Sequence, residues 1–282
     1  MPVRFADFCA QVHTYPACQI PRIMFRTGPV PFEELPVPFQ NIIVGMETKE
    51  PDYLQVYACD ADCQAYVEER FPDFAGAYSN IVAGAFRADV WRLMVLWEFG
   101  GIYNDLGHQY TVPVADVVSA DARIVLVVDS PVIMSPPHRS AFHNALMAAH
   151  LRHPLMGAIL QLVMSNVVHR AYGSDPLDIT GPVALGRAFE AFFDKGQTLR
   201  ALHRVHSQRR HMFRKWNGDA KSWEWFAVDL LDLEGGVRIL SAPGRRQCLT
   251  TKIDQYYELF RRMGSPHYSV LWYEGRIFGR GA

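Results

Sequence analysis

No stretch of the chain reaches the ~18 to 20 uninterrupted apolar residues of a membrane-spanning helix. Residues 1–11 carry acidic and polar side chains where a secretory leader would have a basic start and an apolar run. The expectation is a protein without a membrane anchor, in the cytoplasm. Surplus charge is lacking too. The formal net charge is −1, so the long-range attraction on which nucleic-acid binding depends is missing, and any phosphate must be gripped locally. Cysteine is sparse and odd in number, Cys9, Cys18, Cys59, Cys63 and Cys248, which suits a reducing compartment better than a disulfide framework. Cys59 and Cys63 have no second ligand pair nearby and read as free structural thiols rather than a zinc site. A phosphate-cradling Gly-x-x-x-x-Gly-Lys loop, a Ser/His/Asp elbow, internal repeats and low-complexity tracts are all absent from the sequence.

What is present is core-forming material, 49% hydrophobic over 282 residues, enough for a substantial interior. Residues 20–25 (IPRIMF) read as a buried strand running into the turn signal Arg26-Thr27-Gly28-Pro29. A proline-rich connector over 30–39 leads to 41–46 (NIIVGM), read as a second strand. Residues 60–70 read as a helix stopped by Pro72. Over 80–99, Ile81, Ala85, Ala88, Trp91, Val95 and Phe99 share one helical face and apolar residues cover most of the others, so this helix is buried nearly all round, with Trp91 and Trp97 in the core. Gly100-Gly101 ends it, and strands are expected over 102–106 and 123–128, the latter closed by Asp129-Ser130-Pro131. Helices are expected over 142–150, 155–168 and 183–193, and surface loop and helix over 198–222. Helix, turn, strand, loop and strand make an α/β rhythm.

Two charges inside the buried helix, Asp89 and Arg92, lie three residues apart on one face. Spacing alone also fits an intrahelical ion pair, worth about 0.2–0.5 kcal/mol if exposed. Asp105 follows the diglycine turn where a strand leaves the sheet, a place where backbone approaches a ligand closely, although a lone aspartate there is also an ordinary turn residue. His138, His143, His150 and His153 cluster in sequence without a zinc-helix pattern and read as surface or loop residues.

The string AFRADVWRLMVLWEFGGIYNDLG resembles the sugar-binding region of the DXD glycosyltransferases, the family of fungal initiating α-1,6-mannosyltransferases, related to the catalytic domains of clostridial glucosylating toxins. That pattern is Asp-x-x-Arg on a helix followed by Gly-Gly-x-Tyr-x-Asp-x-Asp. IPRIMFRTG resembles the family's opening strand, HNALMAAHLRHPL its later Asn-containing segment, YGSDPLDITGPVAL its Thr-Gly-Pro loop and DQYYELFRRMGSPHYSVLWYEGRIF its closing aromatic segment.

The resemblance implies an α/β fold of the glycosyltransferase A type, a Rossmann-like mixed sheet with flanking helices and helical additions. Residues 20–282 would form a single catalytic domain behind an N-terminal extension, 1–19. It implies transfer of a hexose, with retention, from a UDP- or GDP-hexose to a hydroxyl of a glycan or protein acceptor. Asp89, Arg92 and Asp105 would be the catalytic residues. Arg26, Thr27, Tyr103, Asn104, Asn144 and Gly181 would bind the donor, and Mn²⁺ or Mg²⁺ would be held by Asp105, with His267 a further candidate ligand. One position departs from the pattern: Gly107 stands where the second aspartate belongs, so the usual metal ligand is missing and a binding module that has lost turnover is the alternative.

Overall fold

The structure is a computed structural model describing residues 1–11, 15–16, 19–110, 113–118, 120, 122–128, 141–192, 214–217, 222–227, 229–233, 237–241, 247–252, 256–264 and 266–279. The chain runs β1 (Val3–Arg4), α1 (Phe5–Cys9), β2 (Ile23–Gly28), α2 (Val37–Lys49), β3 (Leu54–Cys59), α3 (Asp60–Arg70), α4 (Pro72–Ser79), α5 (Gly84–Glu98), β4 (Gly101–Asn104), β5 (His108–Tyr110) and α6 (Val114–Val117). It continues through β6 (Ile124–Val128), β7 (Phe142–Ala149), α7 (Pro154–Val168), α8 (Pro182–Phe192), β8 (Arg214–Asn217), β9 (Ser222–Ala227), β10 (Asp229–Leu233), β11 (Val237–Ser241), β12 (Gln247–Lys252), α9 (Tyr256–Arg262) and α10 (Tyr268–Tyr273).

The expected α/β fold with a mixed sheet and flanking helices is what the chain forms. Its main sheet has the order β1-β3-β2-β4-β7-β6-β11-β10. β1, β3, β2 and β4 are mutually parallel, whereas β7 runs antiparallel to both β4 and β6. A second, four-stranded sheet pairs β5-β12-β9-β8. Chain order reverses around β2, which has β3 on one side and β4 on the other, so their carboxyl ends frame the crevice where open α/β sheets bind ligands.

Strand pleat sorts the core into two sides. Ile23, Phe25, Tyr103, Ile124, Leu126, Met147 and Ala149 face the helices α1, α3, α4, α5, α7 and α8. Met24, Ile102, Val125, Val127, Leu146 and Ala148 point to the opposite face, with α6 residues Val114 and Val117. Trp91 of α5, fully buried, packs edge-on to Phe5 at 5.0 Å and Phe25 at 6.3 Å. Residues 1–19, expected ahead of the domain, contribute β1 to the sheet and Phe5 and Phe8 to this core.

Two elements differ from expectation. Residues 41–46 belong to helix α2, not a strand: Phe39, Ile42, Ile43 and Met46 recur at helical spacing and are its buried face. Residues 142–149 form β7, not a helix, because this strand lies between β4 and β6 with both faces covered; such a strand reads as a continuous apolar run without a period of two. The turn expected at 26–29 also begins later, since β2 pairs with β3 as far as Gly28. Residues 129–131 and most of 198–222 lie outside the described residues, apart from the short strand β8 and the first residue of β9.

Candidate active site

The diglycine turn sets the site. Gly100 and Gly101 have φ of +69° and +96°, backbone that side chains resist, and they fold the end of α5 directly into β4. α5 consequently lies across the β4 face that carries Tyr103, bringing Asp89 and Arg92 of the helix to Asp105 just past the strand's end.

Arg92 is the hub. Its Nη2 lies 3.1 Å from Asp89 Oδ1 and 3.4 Å from Asp105 Oδ1, Nε donates to the Ala88 carbonyl at 3.1 Å and Nη1 donates to the Asn144 carbonyl. Its guanidinium sits over the Tyr103 ring, 4.3 Å from the centroid, and the Tyr103 hydroxyl donates to Asp105 Oδ1 at 3.1 Å. Burial works against the Arg92 charge, but Tyr103, Asp89 and Asp105 outweigh it and hold the group protonated beyond its ordinary range.

Asp89 is buried and its carboxylate takes three contacts: Arg92 and the Asn144 side-chain amide (2.8 Å) at Oδ1, and the Thr180 hydroxyl (2.7 Å) at Oδ2. A carboxylate has about four acceptor positions, which leaves roughly one, on Oδ2. Burial pushes the Asp89 carboxyl up to about 6, against the pull of Arg92, Thr180 and Asn144. Asp105 is more open, with its side chain 20% exposed, and its Oδ1 takes both Tyr103 and Arg92. The ion pair expected as a possible surface contact is therefore a buried network, whose members are far costlier to remove singly than an exposed pair.

The pleat redirects two expected donor residues. Arg26 and Asn104 follow Met24 and Ile102 onto the opposite face of the sheet from Tyr103, and both are wholly buried. Arg26 Nη1 donates to the carbonyls of Asp105 (2.7 Å) and His108 (3.0 Å). With its amide oxygen accepting from Arg26 Nη2 at 3.0 Å, Asn104 donates to the Ala145 carbonyl at 3.1 Å. These two residues brace the 105–108 turn from the sheet face opposite Tyr103. Thr27, nearly buried, donates to the Ala58 carbonyl at 3.0 Å and touches Cys63 Sγ at 3.2 Å.

Asn144 contacts the cluster directly, whereas Gly181 lies beside it in sequence through Thr180. Asn144 reaches Asp89 from β7, and Gly181 lets the chain pass close to Leu177, where a Cβ would stand 3.2 Å from its carbonyl oxygen. Thr180, one residue before Gly181, is a site residue that the sequence marks only through its Thr-Gly-Pro string. His267 is exposed, caps α10 by accepting from the Ser269 amide and stacks on Tyr268. Contrary to a solvated histidine cluster, His143 and His153 are buried, the latter capping α7 and pushed down to about 4 by burial; His138 lies outside the described residues.

The departure at position 107 has a steric cause. Gly107 is not in the left-handed region, so its backbone does not demand glycine. A Cβ there would lie 2.1 Å from Cδ2 of Tyr256, whose ring covers the turn from α9. Among the described residues no group of three or more His, Cys, Asp or Glu side chains is placed to hold a metal, and Asp105 Oδ1 is already engaged by Arg92. These residues do not fit the two-carboxylate cation site that the resemblance implies.

Residues 36–121, from the start of α2 past β5, match the family described as glycosyltransferase sugar-binding region containing DXD motif. The matched segment covers just under a third of this chain. It contains Asp89, Arg92, Tyr103 and Asp105, while Asn144, Thr180 and Tyr256 join from outside it. Over 82 residues the chain is 30% identical to the initiation-specific alpha-1,6-mannosyltransferase of Candida albicans; the match takes in 28% of this chain and 21% of that protein. The chain thus spans about a fifth of the curated relative it matches. Among solved structures, PaToxG glycosyltransferase aligns with 66% of this chain and 76% of its own at 18% identity and a TM-score of 0.48. Among the described residues no helix is long and apolar enough to cross a membrane.

Proposed function

We propose that the protein transfers a hexose from a nucleoside diphosphate sugar, UDP- or GDP-linked, to a hydroxyl of a glycan or protein acceptor, with retention of configuration, in a domain of the glycosyltransferase A type. The observation that carries this is the Asp89–Arg92–Asp105 network at the crevice formed by β2 and β4. With both carboxylates ionised the cluster has one more negative charge than positive. Such a surface receives the hydroxyls of a sugar rather than its diphosphate. The open acceptor position on Asp89 and the exposed side of Asp105 would each take a sugar hydroxyl, while Arg92 fixes both carboxylates so that they need not reorganise when the donor enters.

A binding module without turnover would keep the same contacts, and retention of the whole buried network favours the enzyme. The test is a thermal-shift panel of UDP- and GDP-sugars with their nucleoside diphosphates, because a ligand that binds only the native state raises the melting temperature by mass action. A shift larger for one sugar nucleotide than for its nucleoside diphosphate is expected. No shift with any member of the panel would refute the donor site.

A further inference from the structure

Resting on the donor-site reading, we propose that Tyr256 takes the place of the second carboxylate: its ring fills the space beside Gly107, walls that side of the donor site and leaves the site without a protein-held divalent cation. The tyrosine comes from α9, far along the chain, and its ring meets the position a side chain at 107 would use, with Cδ2 2.1 Å and Cε2 2.5 Å from an ideal Cβ. It is fixed there by aromatic packing on Phe39 of α2 at 6.0 Å and on Phe260 of its own helix at 4.7 Å. Leu106, beside Gly107, joins the same apolar cluster with Tyr57, Leu259 and Met263.

The placement bears on the site because the ring lies against the turn that carries Asp105 and Gly107. A ring that abuts the turn at Gly107 borders the crevice that opens at Asp105, two residues before it. Glycine at 107 and tyrosine at 256 are thus a matched pair, in which a carboxylate at 107 and this ring exclude each other sterically.

The pairing is tested by a double-mutant cycle on melting temperature, with Gly107→Ala, Tyr256→Ala and both together. Gly107→Ala is expected to lower the melting temperature by several degrees in the wild-type background and by little when Tyr256 is alanine. Equal losses in the two backgrounds would overturn the pairing. Calorimetry with UDP and GDP, in chelator and in Mn²⁺, tests the consequence. Affinity of the wild type should change less than threefold between the two conditions, whereas Gly107→Asp combined with Tyr256→Ala should bind more than tenfold tighter with Mn²⁺. A wild-type affinity that rises tenfold or more with Mn²⁺ would overturn the inference while leaving the donor site intact. Failure of both nucleotides to bind in either condition would instead sink the donor site, and the inference with it.

Discussion

Asp89 offers a prediction whose sign follows from its surroundings. Burial lifts its carboxyl to about 6 from an ordinary 3.8, so across that interval the native protein holds a proton that the unfolded chain has released. Stability from this group is therefore fully present below about pH 4, falls as the pH rises towards 6 and is level above. Two pH units correspond to about 3 kcal/mol, with a slope of at most ~1.4 kcal/mol per unit. Asp60 is raised by burial as well and has the same sign, so the wild type alone does not isolate Asp89. The difference between wild type and Asp89→Asn does. Urea unfolding from pH 4 to 8 should show the wild type losing stability relative to Asp89→Asn between about pH 4 and 6, with the two curves parallel above 6.5. Sugar binding should move the opposite way, weakening in the wild type below pH 6 as the carboxylate that accepts the hydroxyl is protonated. Curves that stay parallel across the whole range would refute the buried, proton-binding state of Asp89.

Arg26→Met should destabilise the protein by about 2 to 5 kcal/mol, read by chemical denaturation, because the buried carbonyls of Asp105 and His108 lose their donor. Gly100→Ala should cost at least about 1 to 2 kcal/mol for its left-handed backbone, and more in practice since a Cβ would lie 2.6 Å from the Leu151 amide nitrogen; a melting temperature within a degree of wild type would contradict the turn geometry.

The centre of the site was legible because its signals are local. A helix apolar on nearly every face, two buried charges within it and a diglycine stop together specify α5 passing into β4, and Asp89, Arg92, Tyr103 and Asp105 follow from that single turn. Legibility failed where tertiary context decides. The FHNALMAA segment is apolar throughout, and only its position between β4 and β6 makes it a strand. Arg26 and Asn104 sit next to site residues in sequence, yet the pleat turns each to the far face, where they brace the turn. Thr180 and Tyr256 reach the cluster from distant parts of the chain, and no spacing within 88–107 announces them. Gly107 looked like a lost ligand, and its meaning came only with the ring packed against it.

The most direct measurement of sugar transfer is release of nucleoside diphosphate from the donor that gives the largest thermal shift, followed for the wild type and for Asp89→Ala and Arg92→Ala variants verified as folded. The wild type should release nucleotide, and each variant should lose at least a hundredfold in rate, about 2.7 kcal/mol of barrier, while binding the nucleoside diphosphate within a few-fold of wild type. Release that persists undiminished in both variants, or a wild type that binds the donor and never releases nucleotide, would contradict the assignment of this network to sugar transfer.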